Sequence, residues 1–166
     1  MCKWIASIAM ATVLVGFSAL AHAGPYVGAS WGAYKIDQSN LKDNDHLWKA
    51  YGGFQGDIFG VEVSRVDFSL AGNSVNSFDG DGWGASAVVS LPLGEGSSAL
   101  FFKVGQFWWD SKVVLGGITA NGDGDDPFYG VGFRFGKPLA VRLEWERYKI
   151  SNINLDTYTI GIQFGF

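Results

Sequence analysis

Leu155-Asp156-Thr157-Tyr158-Thr159-Ile160-Gly161-Ile162-Gln163-Phe164-Gly165-Phe166 closes the chain. In an extended strand successive side chains point to opposite faces. Tyr158, Ile160, Ile162, Phe164 and Phe166 therefore share one face, and Thr159, Gly161, Gln163 and Gly165 share the other. The first face is bulky and apolar throughout; the second is small or polar. Such a strand lies between two different media.

Working back from it, the same period of two recurs. In Leu139–Tyr148, Val141, Leu143 and Trp145 oppose Arg142, Glu144 and Glu146. In Phe128–Gly136, Tyr129, Val131, Phe133 and Phe135 alternate with Gly130, Gly132, Arg134 and Gly136. Ala99–Trp109 sets Phe102, Val104 and Trp108 against Lys103 and Gly105, with Phe101 and Phe107 blurring the pattern. Gly82–Leu91 sets Trp83, Ala85, Ala87, Val89 and Leu91 against Gly84, Ser86 and Ser90. Ile58–Phe68, Leu47–Gln55 and Tyr26–Lys35 repeat the alternation more weakly, with Glu62 and Lys49 on their small or polar faces. These are eight segments of about ten residues, the length a tilted membrane strand needs.

The connectors alternate in length. Asp37–His46, Ser69–Asp81, Asp110–Pro127 and Ser151–Asn154 read as polar loops; Gly56-Asp57, Pro92–Ser98 and Gly136–Pro138 read as tight turns. Long connectors at one end and short ones at the other is the pattern of an outer-membrane barrel, with long extracellular loops and short periplasmic turns. An even strand number returns both termini to the periplasmic side.

Composition agrees. The chain has 24 glycines in 166 residues, 16% aromatic residues and 17% charged residues, where soluble domains average about 25% charge. The formal charge of −4 gives no basic patch, so no nucleic-acid partner is expected. The one cysteine, Cys2, excludes a disulfide or a Cys-based metal site.

Met1–Ala23 reads as a cleaved secretory signal peptide. Lys3 supplies the positive start, Ile5–Leu20 is a nearly unbroken apolar run, and Ala21-His22-Ala23 is an A-x-A site. The rival reading is a retained membrane anchor; the small residues at Ala21 and Ala23 favour cleavage. Residues 24–166 then form one domain. No later run is apolar enough for a spanning helix, and only helices and closed barrels satisfy every backbone group in lipid.

Side-chain size decides which face looks outward. The lumen of an eight-stranded barrel is just filled by side chains, too narrow for the many rings on the apolar faces. The rings are therefore expected against lipid, and glycines, serines and charges inside. The expected interior charges are Lys49, Glu62, Lys103, Arg134, Arg142, Glu144 and Glu146. They comprise four cations and three carboxylates, and buried charges need partners, so a cross-barrel network is expected. A one-residue slip would turn Arg134 and Arg142 into lipid at about 2–4 kcal/mol each near the midplane. Aromatics near strand ends, Tyr26, Trp31, Trp48, Tyr129 and Phe166, are expected to mark the membrane interfaces.

The chain from residue 24 onward resembles the OmpA-like family of small outer-membrane barrels, the group that includes OmpX and the Opa-like adhesins. The residues that carry the resemblance are Tyr26-Val27-Gly28-Ala29-Ser30, Gly60-Val61-Glu62-Val63 with Val66-Asp67-Phe68, Leu139–Tyr148 and Thr159–Phe166. It implies an all-β, eight-stranded, antiparallel up-and-down transmembrane barrel of the bacterial outer membrane. It also implies that Tyr158, Ile160, Ile162, Phe164 and Phe166 form the C-terminal signal read by the barrel assembly machinery. The chain ends at Phe166 without the periplasmic peptidoglycan-binding domain of full-length OmpA, so cell-wall tethering is not implied. Arg65 stands where such barrels often carry an aromatic, and is expected near the outer rim, in reach of lipopolysaccharide phosphates.

A structural role in envelope integrity is the expected function, without enzymatic activity, cofactor or metal. An adhesin or host-interaction protein, acting through loops that meet host or phage ligands, is the first alternative. A lipid A-modifying enzyme is the second, and would use His46 with a serine among Ser39, Ser69, Ser74 and Ser77 and an acid among Asp43, Asp45 and Asp79. A narrow pore is disfavoured by the filled lumen. Asn121-Gly122-Asp123-Gly124-Asp125-Asp126 resembles a fragment of a calcium loop but lacks the later Glu and the flanking helices; a solvated acidic loop is expected there.

Overall fold

The computed structural model describes residues 24–36, 45–69, 76–94, 97–115, 118–150 and 153–166. The signal-peptide reading, with Ala21 and Ala23, lies outside them. Eight strands, β1 (Gly24–Ile36), β2 (Asp45–Gln55), β3 (Phe59–Ser69), β4 (Asn76–Pro92), β5 (Ser98–Leu115), β6 (Ile118–Phe135), β7 (Leu139–Ile150) and β8 (Ile153–Gly165), form a closed barrel in chain order. Every pair is antiparallel, and β1 closes on β8 from Tyr26↔Gly165 to Ile36↔Leu155. Closure leaves no sheet edge at membrane depth, which hydrocarbon requires.

Burial follows the period of two. Along β3, Val61 and Val63 are 43% and 53% exposed while Glu62 between them is 2% exposed. Outside, Trp31 pairs with Trp48 and Trp83 with Trp108, and Tyr129 meets Trp145 at 6.0 Å. These rings circle the barrel at the end away from the termini. Phe54, Phe59, Phe135, Phe164 and Phe166 are exposed nearer the other end. Between the two rows run Val61, Val104, Leu143, Ile160 and Ile162, all outward and exposed. In water such a surface would be a severe aggregation hazard; in a bilayer it is the apolar band with its aromatic girdles.

Three strands are longer than the alternation indicated. Much of the expected loops Ser69–Asp81 and Asp110–Pro127 is strand: β4 starts at Asn76, β5 runs on to Leu115 and β6 starts at Ile118. The ladder Trp109↔Gly124, Asp110↔Asp123 holds these ends together by backbone pairing. The apolar–polar alternation fades there because, beyond the girdle, water bathes the outer face. The acidic run Asn121–Asp126 is accordingly part of β6, not a loop. Gln106 Nε2 donates to Asp125 Oδ2 at 2.9 Å and Trp109 Nε1 to Asp126 Oδ2 at 3.0 Å, from opposite faces. Among the described residues no cluster of acidic or histidine side chains converges as a metal site.

Candidate functional site: the barrel interior

The inward positions of β2, β3, β5 and β7 carry Lys49, Glu62, Lys103, Arg142, Glu144 and Glu146, each at most 6% exposed. They meet in one cluster. Lys103 is its hub, with Nζ 2.9 Å from Glu62 Oε1, 2.8 Å from Glu144 Oε1 and 2.5 Å from Glu146 Oε1. Lys49 spans the lumen to Glu144 Oε2 at 2.5 Å and Glu146 Oε2 at 2.7 Å. Arg142 Nη1 donates to Glu62 Oε2 and Nη2 to Glu144 Oε1, both at 2.7 Å. Three cations thus face three carboxylates. Arg134, the seventh expected member, stands apart: it is only partly buried and forms no ion pair among the described residues.

Rings hold the cluster in place. The Arg142 guanidinium lies between Tyr51 and Phe101, 4.4 Å from each ring centroid. Tyr26 Oη donates to Glu62 Oε2 at 2.9 Å, and Tyr148 Oη to Glu146 Oε2 at 3.0 Å. Beyond Tyr148, towards the girdle of tryptophans, Tyr34, Leu47, Val66, Phe68, Phe107, Phe128, Tyr148 and Leu155 form an apolar plug. Phe128 stacks on Tyr148 at 5.0 Å and 11°, and Phe107 meets Tyr148 edge-on at 4.8 Å.

The interior therefore differs from the expected lining of small and charged residues. Tyr26, Tyr34, Tyr51, Phe68, Phe101, Phe107, Phe128 and Tyr148 are all buried. Tyr26, expected at an interface, points inward to Glu62. The inward glycines make the room. A Cβ on Gly132 would lie 2.3 Å from Phe101 Cζ, one on Gly28 2.5 Å from Tyr51 Cζ and one on Gly82 2.5 Å from Phe107 Cζ. The blurred alternation at Phe101 and Phe107 was the sequence sign of this packing.

Other expected residues fall elsewhere. Tyr158, Ile160, Ile162, Phe164 and Phe166 form a continuous outward row on β8 and its end, each at least 41% exposed. Arg65 faces outward but is ion-paired with Asp81 and lies 5.4 Å over the Trp83 ring, so its charge is already engaged. His46 is on the outer face, stacked on Trp31 at 5.0 Å and 19°. Ser39, Ser74 and Asp43 lie outside the described residues, as do the side chains of Asp45, Ser69, Ser77 and Asp79.

A lumen of this kind is a built plug. Lys49 is 0% exposed and Glu146 1%, so the cluster is shielded from solvent by the residues around it. The fold resembles solved outer-membrane barrels. Neisserial surface protein A matches with a TM-score of 0.74 and 14% identity, over 86% of this chain and 97% of that one. Ail of Yersinia pestis matches with a TM-score of 0.64 and 16% identity, over 87% and 97%. The N-terminal barrel domain of Pseudomonas aeruginosa OprF matches with a TM-score of 0.65 and 11% identity, over 87% and 99%. No curated protein matches the sequence. Residues 6–166 match the family described as outer membrane protein beta-barrel domain, and the chain belongs to that family.

Proposed function

We propose that this protein is a structural, non-conducting and non-catalytic barrel that contributes to the integrity of the bacterial outer membrane. The observation that supports this best is the lumen: a neutral cluster of six charges at solvent exposures of 6% or less, capped by an apolar plug. The chain is exported by Met1–Ala23, which is cut after Ala23, and N-terminal sequencing of the membrane-inserted protein reads this directly. The outward row ending at Phe166 is the signal for the barrel assembly machinery, and the tryptophan girdle contacts lipopolysaccharide. A deletion strain tests the role. Greater sensitivity to detergent, restored by the gene in trans, is expected; unchanged sensitivity contradicts it.

A second reading rests on the long strands. β4, β5 and β6 project beyond the girdle, and the β6–β7 ladder begins only at Phe128. Ail, the attachment invasion locus protein whose fold this chain resembles, has been solved with the heparin analogue sucrose octasulfate. Under this reading the projecting strands carry adhesion to a host or phage ligand. Loss of host-cell binding on deletion, with detergent resistance intact, would favour it over the structural role.

A further inference from the structure

Arg134 is the interior cation that the cluster does not use. Lys49, Lys103 and Arg142 are matched by Glu62, Glu144 and Glu146, so the cluster is neutral. Arg134 stands directly opposite Arg142 in the β6–β7 register, and both point inward. Like charges in that position repel. Arg142 is neutralised by Glu62 and Glu144, whereas Arg134 has no ion-pair partner among the described residues.

Its surroundings are those of a receiving site. Arg134 lines a mouth of about 650 Å³ at the end of the barrel that carries the strand termini, together with Ser90, Gln163, Lys137 and Asp57. Arg134 Nε is buried without a protein hydrogen-bond partner, and so is the Oγ of Ser90, a residue only 2% exposed. Asp57 lines the same mouth and, among the described residues, forms no ion pair with Arg134 or Lys137. A guanidinium presents a planar fork that matches carboxylate and phosphate. Low-dielectric walls focus the field of an unmatched charge onto whatever enters. The volume lies within the ordinary range for small-molecule sites, about 300–1,000 Å³.

We propose that this mouth is an anion-binding site, in which Arg134 grips the carboxylate or phosphate of a small solute from the compartment it faces. That compartment is the periplasm if the barrel is oriented as proposed above. The test is independent of orientation, because the solubilised barrel exposes both mouths; orientation is read separately by labelling Lys137→Cys on whole cells.

Inorganic phosphate is titrated into the ¹⁵N-labelled barrel in an uncharged detergent, with sodium chloride at matched ionic strength as the control. Saturable shifts at the Arg134 Nε–H, Gly136 and Ala140 are expected with phosphate alone. Arg134→Gln should weaken binding by at least about tenfold, the usual scale for losing a charge-assisted hydrogen bond. Equal shifts with chloride, or unchanged phosphate binding in Arg134→Gln, would overturn the proposal. Should Arg134→Gln not fold, Arg134→Lys is read instead, since it keeps the charge and loses the fork. Weaker saturable binding supports the site, and unchanged binding overturns it.

Discussion

Lys49 reaches from β2 across the lumen to Glu144 on β7, with 2.5 Å between Nζ and Oε2 and neither side chain more than 1% exposed. The two residues are far apart in sequence and on non-adjacent strands. Their contact ties opposite walls of the cylinder, which the backbone ladder alone does not do. Removing one partner strands a buried charge, which costs far more than the intact pair contributes.

Lys49→Met should therefore destabilise the barrel by about 3–5 kcal/mol. Lys49→Met with Glu146→Gln removes one charge of each sign and should recover part of that loss. Urea unfolding in lipid vesicles, followed by tryptophan emission, measures both variants. Additive losses would show that the two groups are not coupled.

The interior glycines give a second expectation. Gly132 faces the Phe101 ring, and a Cβ there would meet Phe101 Cζ at 2.3 Å with Leu143 O at 2.5 Å. Gly132→Val should cost about 1–3 kcal/mol through overpacking. Adding Phe101→Leu should relieve the ring clash and leave the backbone one, giving partial rescue in the same unfolding assay. Full tolerance of Gly132→Val would mean that the ring is not packed against this wall.

How much of this was legible in the sequence follows from what repeats and what does not. The eight strands and their inward and outward faces could be read because lipid on one side and protein on the other impose a period of two, as in Val61-Glu62-Val63. The charges Lys49, Glu62, Lys103, Arg142, Glu144 and Glu146 stood on the small face for the same reason. Their pairing could not be read, because it depends on which strands face each other across the lumen. The interior rings at Phe101 and Phe107 showed in the sequence only as breaks in the alternation, since an inward ring and an outward ring look alike until the opposing glycine is placed. Beyond the girdle the medium is water on the outer face, so the ends of β4, β5 and β6 carry no alternation to read.

The outer face provides a depth-dependent test. Ile162 is 59% exposed in the apolar band, whereas Lys35 lies near the end of β1 beside the Tyr158 ring, at 6.0 Å. Ile162→Arg should cost about 2–4 kcal/mol in a bilayer, against about 0–1 kcal/mol for a charge near the interface. Lys35→Arg, which only exchanges one interfacial cation for another, should be close to neutral. Comparable effects at the two depths would argue that the band does not face hydrocarbon.

The account as a whole depends on the direction in which the rings point, and tryptophan quenching reads it most directly. Trp31, Trp48, Trp83 and Trp108 are each at least 45% exposed on the outer wall. In vesicles of lipids brominated along their acyl chains, the mature protein should lose most of its tryptophan emission relative to ordinary lipids. Emission unchanged by bromine, from a chain that stays monomeric in water without detergent, would contradict it.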